Sequence, residues 1–417
     1  MGMTITEKII AAHSGEKNVI PGQILTVNVD KVFTHDIFFT GVHNAFKEKN
    51  CNVWDPDKII IVVDHELPAS SIFSGDIYQS MVKFVQEQNI KNLYYGEGVC
   101  HQIIPEQGHV RPGEIFVGTD SHTVTYGALT ALATGIGSTE MAEIWKTGKI
   151  WLKVPETIKF VFTGQLGKNV YSKDIILYLI GKMRSHGCVY NAVEFCGKPI
   201  EDLSMSERFT LTNMVVEMGA KNGIVPFDQK TKDYLIERNI TDYTVYENDS
   251  DAVFKETFYI DASEILPQVS GPNGVDDVKS ITEVEGMKIH QGYIGSCTNG
   301  RLEDLRVAAN ILKGKKIAPY IKLIVSPASQ TVYKQAIKEG IIETFIDAGA
   351  VVTNPGCNLC YGTHGGVLGE NEVAICSNNR NFPGRLGHKN SKVFLASPAT
   401  VACSVLEGKI VDPRKYV

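Results

Sequence analysis

No stretch of this chain is apolar for long enough to cross a bilayer, which takes about 20 consecutive mostly apolar residues, so a membrane-spanning protein is excluded. Positive charge is also short. Against 47 Asp and Glu stand 41 Lys and Arg, a formal net charge of −6 at pH 7. A surface that coats nucleic acid needs clustered Lys and Arg to neutralise phosphates, so no nucleic-acid partner is expected. The N-terminus lacks the basic segment, apolar stretch and small-residue cleavage site of a secretory signal, which points to a cytoplasmic protein with no membrane contact. Fixed-period repeats and low-complexity tracts are absent too, ruling out a solenoid and a disordered arm. Gly135-Ile136-Gly137 lacks the third glycine of a dinucleotide loop and follows no evident strand, so no nicotinamide or flavin site is expected.

What remains is the composition of a large globular protein, 43% hydrophobic and 21% charged over 417 residues. That length exceeds one hydrophobic core, and two or three domains are expected. Apolar runs at Lys58–Val63, Asn92–Tyr95 and Glu114–Val117 read as strands, with helical spacing at Ser71–Gln88 and Ala128–Gly148. The alternation returns late in the chain. There, strand Gln291–Ile294, helix Leu302–Leu312, strand Lys322–Val325 and helix Thr331–Glu339 precede strands at Ala350–Val352, Val373–Cys376 and Lys392–Leu395. Between these halves lie a strand at Ile158–Thr163, helices at Ser172–Ser185 and Ser206–Met218, and a Pro- and Gly-containing linker at Leu266–Gly274. This βαβ rhythm predicts an α/β protein of three domains, residues 1–155, 156–275 and 276–417, with mostly parallel sheets flanked by helices.

Sheets of that kind bind ligands at the carboxyl ends of their strands, and the reactive residues fall there. Asp64-His65 follows one strand, His101 the next, Asp120-Ser121-His122 a third, and Cys297 the strand Gln291–Ile294. Nine cysteines in an intracellular chain more often mean metal binding or catalysis than disulfides. Cys51, Cys100, Cys188, Cys196, Cys376 and Cys403 sit in mixed or apolar stretches and read as small buried side chains. Cys297, in Gly295-Ser296-Cys297-Thr298-Asn299-Gly300, and the C-x2-C pair Cys357 and Cys360 stand apart. Such a pair suits half a zinc site, a redox couple or part of an iron–sulfur cluster, because each needs two thiolates on one face of a tight loop. No second pair stands at structural-zinc spacing. Arg380 and Arg385 follow a strand in a Gly-containing loop, and a guanidinium fork matches a carboxylate with two parallel hydrogen bonds.

Gly295-Ser296-Cys297-Thr298-Asn299 and Pro355-Gly356-Cys357-x2-Cys360 resemble, in order, the two cluster-ligand motifs of the aconitase family. Gly118-Thr119-Asp120-Ser121-His122-Thr123, Asp64-His65, Cys100-His101-Gln102 and Asn379-Arg380-Asn381-Phe382-x-Gly384-Arg385 resemble further family motifs, so the likeness covers nearly the whole chain. In size and ending the chain is similar to the large subunits of isopropylmalate isomerases and homoaconitases, whose mobile fourth domain is a separate small subunit. The resemblance implies three aconitase-type α/β domains around a [4Fe–4S] cluster. Cys297, Cys357 and Cys360 would hold it, leaving one iron without a cysteine. A small swivelling-domain subunit would be the partner and supply the serine base. The implied activity is a hydro-lyase acting on a small hydroxy di- or tricarboxylic acid. Asp64 would keep His65 protonated for the departing hydroxyl, while His101, Asp120 and His122, with Glu217 as a shared carboxylate, would order water and hydroxyl at the iron. His35, Ser121, Asn213, Asn379, Arg380 and Arg385 would bind substrate. Asn213 and Glu217, four apart, are expected on one helix face.

One segment departs from the family. Where relatives carry a His-Asp-Gly-Thr type loop, this chain reads His35-Asp36-Ile37-Phe38-Phe39-Thr40. The bulkier, more apolar loop predicts a substrate with an alkyl branch, such as isopropylmalate or a methylated malate, in preference to citrate; homoaconitase and dimethylmalate or citramalate dehydratase activities are the alternatives. Two rival readings differ in kind: a cluster-sensing RNA-binding regulator, disfavoured by the acidic balance, and a zinc lyase using the same three cysteines.

Overall fold

The computed structural model describes residues 2–416. Its first large sheet has five strands in the order Asn92–Tyr95, Ile59–Val63, Lys31–His35, Ile115–Gly118 and Leu132–Gly135, every pair parallel. Ile59–Val63 consists of β-branched residues buried along its whole length, as a strand covered on both faces requires. A second sheet runs Asn222–Ile224, Ala192–Cys196, Thr157–Thr163 and Glu256–Asp261, again all parallel. The third has seven strands: Val278–Ser280, Gln268–Ser270, Lys392–Leu395, Val373–Cys376, Gln291–Ile294, Lys322–Val325 and Val351–Val352. Its last five are parallel, and the first two pair antiparallel. The family's α/β architecture of parallel sheets and helices is therefore present. Parallel strands put all their carboxyl ends on one side, so Asp64, Thr119 and Ser296 emerge from their sheets beside other strand ends.

Four segments fold differently from the sequence expectation. The Leu266–Gly274 linker contains strand Gln268–Ser270, which joins the third sheet. The expected helix Ala128–Gly148 is the end of a 3-10 helix (Ser121–Leu129), a strand (Leu132–Gly135) and a shorter helix (Ser138–Thr147). A short buried apolar run has no periodicity that separates strand from helix, and here pairing with Ile115–Gly118 decides it. That strand leads directly into Gly135-Ile136-Gly137, which therefore sits on a strand-to-helix turn after all, though without its third glycine. The α-helix expected to carry both Asn213 and Glu217 ends at Asn213 and tightens into a 3-10 helix, Met214–Met218, closed by left-handed Gly219.

The fourth difference is the departing segment itself. His35 ends a strand, and Asp36–Lys47 is a helix, not a loop. Phe39, Val42, His43 and Phe46 are buried at the spacing of one helix face, and Asp36 sits in the first turn where the helix dipole favours a negative charge. Phe39 thus belongs to the core, while Ile37 and Phe38 line an open cavity. Among the described residues no helix is long and apolar enough to cross a membrane.

Candidate active site

Three carboxylate–imidazole groups stand at the strand ends of the first sheet. Asp64 is fully buried; one of its oxygens accepts from the Cys100 backbone N–H (2.7 Å) and the other from His65 Nδ1 (2.8 Å). Asp36, at the start of its helix, accepts from the backbone N–H groups of His65 (3.2 Å) and Glu66 (2.8 Å) and lies 3.5 Å from His65 Nδ1. Burial opposes a charge on His65, yet the Asp64 and Asp36 carboxylates outweigh it and hold its pKa well above the usual imidazole range. Asp36 is pushed low by the same pairing, against the penalty of its own burial. His65 is therefore an imidazolium at neutral pH, and with Nδ1 engaged the proton it can release is on Nε2. His35 stacks on it with ring centroids 4.2 Å apart; both His35 nitrogens are buried without a hydrogen-bond partner.

The other two histidines are shifted in opposite directions. His101 Nε2 donates to Asp120 (2.8 Å) and Nδ1 accepts from the Tyr126 hydroxyl (3.1 Å); burial wins and lowers its pKa, so it is neutral. His122 is buried as well and lies near Arg380, but Asp120 and Glu217 raise its pKa. Glu217 pairs with His122 Nε2 (3.1 Å) and with Arg380 Nε (2.8 Å), not with His101, so the shared carboxylate expected from the sequence is Asp120. Its Oδ1 also accepts from the His122 backbone N–H (2.7 Å).

Cys297, Cys357 and Cys360 are buried beside this network. Ser296 and Asn358, next to the first and second cysteines, take left-handed backbone conformations (φ +71° and +47°), which turn the chain sharply at both loops. The Cys357 backbone N–H donates to the Asp64 carbonyl (2.7 Å), tying the cysteine loop to the histidine loop. Side-chain amides face the sulfurs: Asn213 Nδ2 lies 3.4 Å and Asn379 Nδ2 3.5 Å from Cys297 Sγ, and Asn378 Nδ2 lies 3.8 Å from Cys360 Sγ. Within the Cys357–Cys360 pair the neighbouring sulfur pushes Cys357 up and Cys360 down, and Arg385 and His122 add positive field that favours the Cys360 thiolate. Three thiolates on one zinc ion would lie about 3.8 Å apart. Among the described residues the only group of ligand atoms within 4.8 Å of one another is His35, Asp36, Asp64 and His65, and the three cysteines form no such group. Wider spacing and amide donors aimed at sulfur fit a multinuclear iron–sulfur cluster and not a single ion.

A cavity of about 600 Å³ opens beside His35, His65 and Asp120. His35, His65, Asp120, Ser121, Arg380 and Arg385 are among its polar lining residues, and Ile37, Phe38, Val124, Ile136, Val216 and Ala220 among its apolar ones. Arg380 is held by Glu217, and Arg385 by the Cys360 carbonyl (3.0 Å), leaving other guanidinium N–H groups for a ligand. Sequence reasoning omitted Asp36, Tyr361, Lys221 and Tyr126. Asp36 and Tyr361 adjoin motif residues, but Lys221, on the cavity wall, and Tyr126, which fixes the His101 tautomer, carry no signal of their own.

Proton donor, carboxylate forks and cluster-spaced thiols at the ends of parallel sheets are the equipment of an iron–sulfur hydro-lyase, and that is the class which fold and site define. Residues 7–285 and 277–408 match the model of the Aconitase family (aconitate hydratase). The chain belongs to the aconitase family, which implies an iron–sulfur cluster. It is 46% identical over 419 residues, covering all of both chains, to the 3-isopropylmalate dehydratase large subunit 1 of Methanopyrus kandleri. It is 45% identical to the probable methanogen homoaconitase large subunit of Methanothermobacter thermautotrophicus, with 99% of this chain and 98% of that one covered. The crystal structure of Thermococcus kodakaraensis aconitase X in its holo-form shares the fold, with a TM-score of 0.50, 12% identity, and 91% and 93% of the two chains covered.

Proposed function

We propose that this chain is the large subunit of a [4Fe–4S] hydro-lyase that dehydrates or isomerises a small hydroxy dicarboxylic acid, with 3-isopropylmalate the foremost substrate. The observation that carries this reading is the imidazolium of His65, held between two carboxylates on the wall of a cavity that Arg380 and Arg385 also line. Hydroxide leaves poorly, and a positioned acid lowers that barrier. His65 is the acid, protonating the departing hydroxyl from Nε2, with Asp64 and Asp36 stabilising the charge it carries beforehand. Arg380 and Arg385 bind the substrate carboxylates, assisted by Ser121 and His35, whereas Asn213 and Asn379, expected to touch substrate, are buried with their amides on the Cys297 sulfur and serve the cysteine loops instead. His101, Asp120, His122 and Glu217 order water and hydroxyl beside the reacting carbon. Cys297, Cys357 and Cys360 would hold a [4Fe–4S] cluster, which would supply Lewis-acid polarisation of the substrate hydroxyl.

The base that removes the carbon-bound proton comes from a separate small subunit, so the large chain alone binds substrate but does not turn it over. The partner is inferred from the name "large subunit" that the relatives carry. The apolar residues of the lining favour an alkyl branch over a third carboxylate, since an unpaired carboxylate against Phe38 and Ile37 would be desolvated without compensation. Homoaconitate and dimethylmalate or citramalate remain the alternative substrates.

The decisive assay reconstitutes the anaerobically purified chain with iron, sulfide and a small subunit, then compares turnover of isopropylmalate, dimethylmalate, homocitrate and citrate. Alkylmalate turnover exceeding that of citrate by tenfold or more is expected. Citrate as the better substrate would overturn the substrate assignment, and a zinc-containing, colourless protein would overturn the mechanism.

A further inference from the structure

Lys173 and Arg301 are buried basic side chains that make no ion pair among the described residues, and burial without a paired carboxylate lowers the pKa of the Lys173 ammonium to about 7. Lys173, in the first turn of helix Ser172–Met183, is completely buried. Its ammonium donates to the backbone carbonyls of Ser377 (2.8 Å) and Asn378 (2.6 Å). These carbonyls begin the Ser377-Asn378-Asn379-Arg380 segment that carries the amides facing Cys360 and Cys297 and the guanidinium facing the cavity. Ser377 further ties this segment to the cysteine loop by accepting from the Gly295 N–H (3.0 Å). Arg301, 3% exposed, donates from Nη1 to the Thr298 carbonyl (2.8 Å) beside Cys297, and its Nη2 is buried with no hydrogen-bond partner.

Isolated buried charges are costly unless something of opposite sign compensates them. Asp304 acts on both cations only at a distance, and its own oxygens are taken by the Asn299 side chain and the Arg301 backbone N–H. The other group that both side chains sense is the sulfur of Cys297, and Lys173 senses that of Cys360 as well; both sulfurs would be thiolates once they hold iron. Three thiolates around an iron–sulfur core carry net negative charge, and more of it once the core is reduced. We infer that Lys173 and Arg301 are positioning residues that serve as the buried counter-charges of the cluster, Lys173 also clamping the segment that points Asn378, Asn379 and Arg380 at it; this rests on the reading of Cys297, Cys357 and Cys360 as cluster ligands. A nearby cation favours the more negative state, so removing one makes reduction harder and loosens the core's hold.

The test uses the reconstituted full chain and its Lys173→Gln, Lys173→Arg and Arg301→Gln variants, each checked for folding by circular dichroism. Iron and sulfide per chain, the midpoint potential followed by electron paramagnetic resonance, and the rate of iron loss to a chelator are measured. Glutamine keeps a donor and removes the charge, so Lys173→Gln should shift the potential negative and speed iron loss at least several-fold, while Lys173→Arg stays near the parent. Arg301→Gln should move both readouts in the same direction through different contacts, so it decides the matter if Lys173→Gln does not fold. An unshifted potential in the folded charge-removing variants, with cluster present in the parent, overturns the counter-charge role alone. A parent chain that takes up no iron and sulfide overturns the cluster reading, and this inference with it.

Discussion

His65 shows how much of this site depends on the charge state of single groups. An exposed histidine is mostly neutral at pH 7, but between Asp64 and Asp36 this one keeps its proton. Replacing it with glutamine, which retains a polar group of similar size without a transferable proton, should lower kcat by about 10²–10⁴-fold. The visible spectrum should stay unchanged, because His65 does not bond to any of the three cysteines. Steady-state kinetics alongside the absorbance near about 400 nm check both halves, and a variant with parent kcat would remove His65 from the acid role. The Asp64-His65 pair was legible because neighbouring residues at a strand end share one loop. The assignment of Glu217 was not, since its partner His122 is 95 positions away and only packing chooses between it and His101.

At the scale of elements, the 3-10 helix Ser121–Leu129 is the part that sequence patterning read least well. It presents Ser121 and His122 to the site and packs its far end against strand Asn222–Ile224. Gly127 makes that approach feasible: a Cβ there would lie 1.6 Å from the Gly223 carbonyl oxygen, a backbone atom with no rotamer to escape into. Gly127→Ala should therefore cost about 2 kcal/mol or more of stability and disturb the His122–Glu217 contact. Thermal unfolding of the variant should show a clearly lower Tm, and an unchanged one would mean the two backbones separate easily. The helix Asp36–Lys47 teaches the converse. Its buried residues Phe39, Val42, His43 and Phe46 carry a helical period that the expectation of a family-like loop concealed.

For the whole molecule, stability should fall on mild acidification because neutral histidines are packed away from the site. Burial lowers the pKa of His109 to about 4, and Lys31 and Arg111 nearby push in the same direction; its Nε2 accepts from the Tyr94 hydroxyl (2.5 Å). His43, set among Phe39 and Phe84, is likewise lowered to about 4. The unfolded chain binds protons at both positions below about pH 6.5, whereas the folded chain resists until about pH 4. Stability is then complete above the unfolded pKa and lost as pH falls through the window between the two values. Denaturation curves at pH 7 and pH 5 should show a smaller loss for His109→Gln than for the parent chain. Equal losses would mean that this histidine does not contribute.

The sequence by itself determined the chemistry available: three cysteines in two tight loops, histidine–carboxylate pairs after strands, two arginines in one glycine-containing segment, and the alternation that makes parallel sheets. These are local facts, because strand ends, turn residues and ligand spacing are set within a few residues. Only the tertiary structure decided that Asp120 and not Glu217 serves His101, that His65 is charged while His101 is neutral, and that Ile37 and Phe38 face the cavity while Phe39 joins the core. The physical reason is that a buried group's charge follows from the few groups packed against it in a poorly screened interior, and those neighbours come from distant parts of the chain.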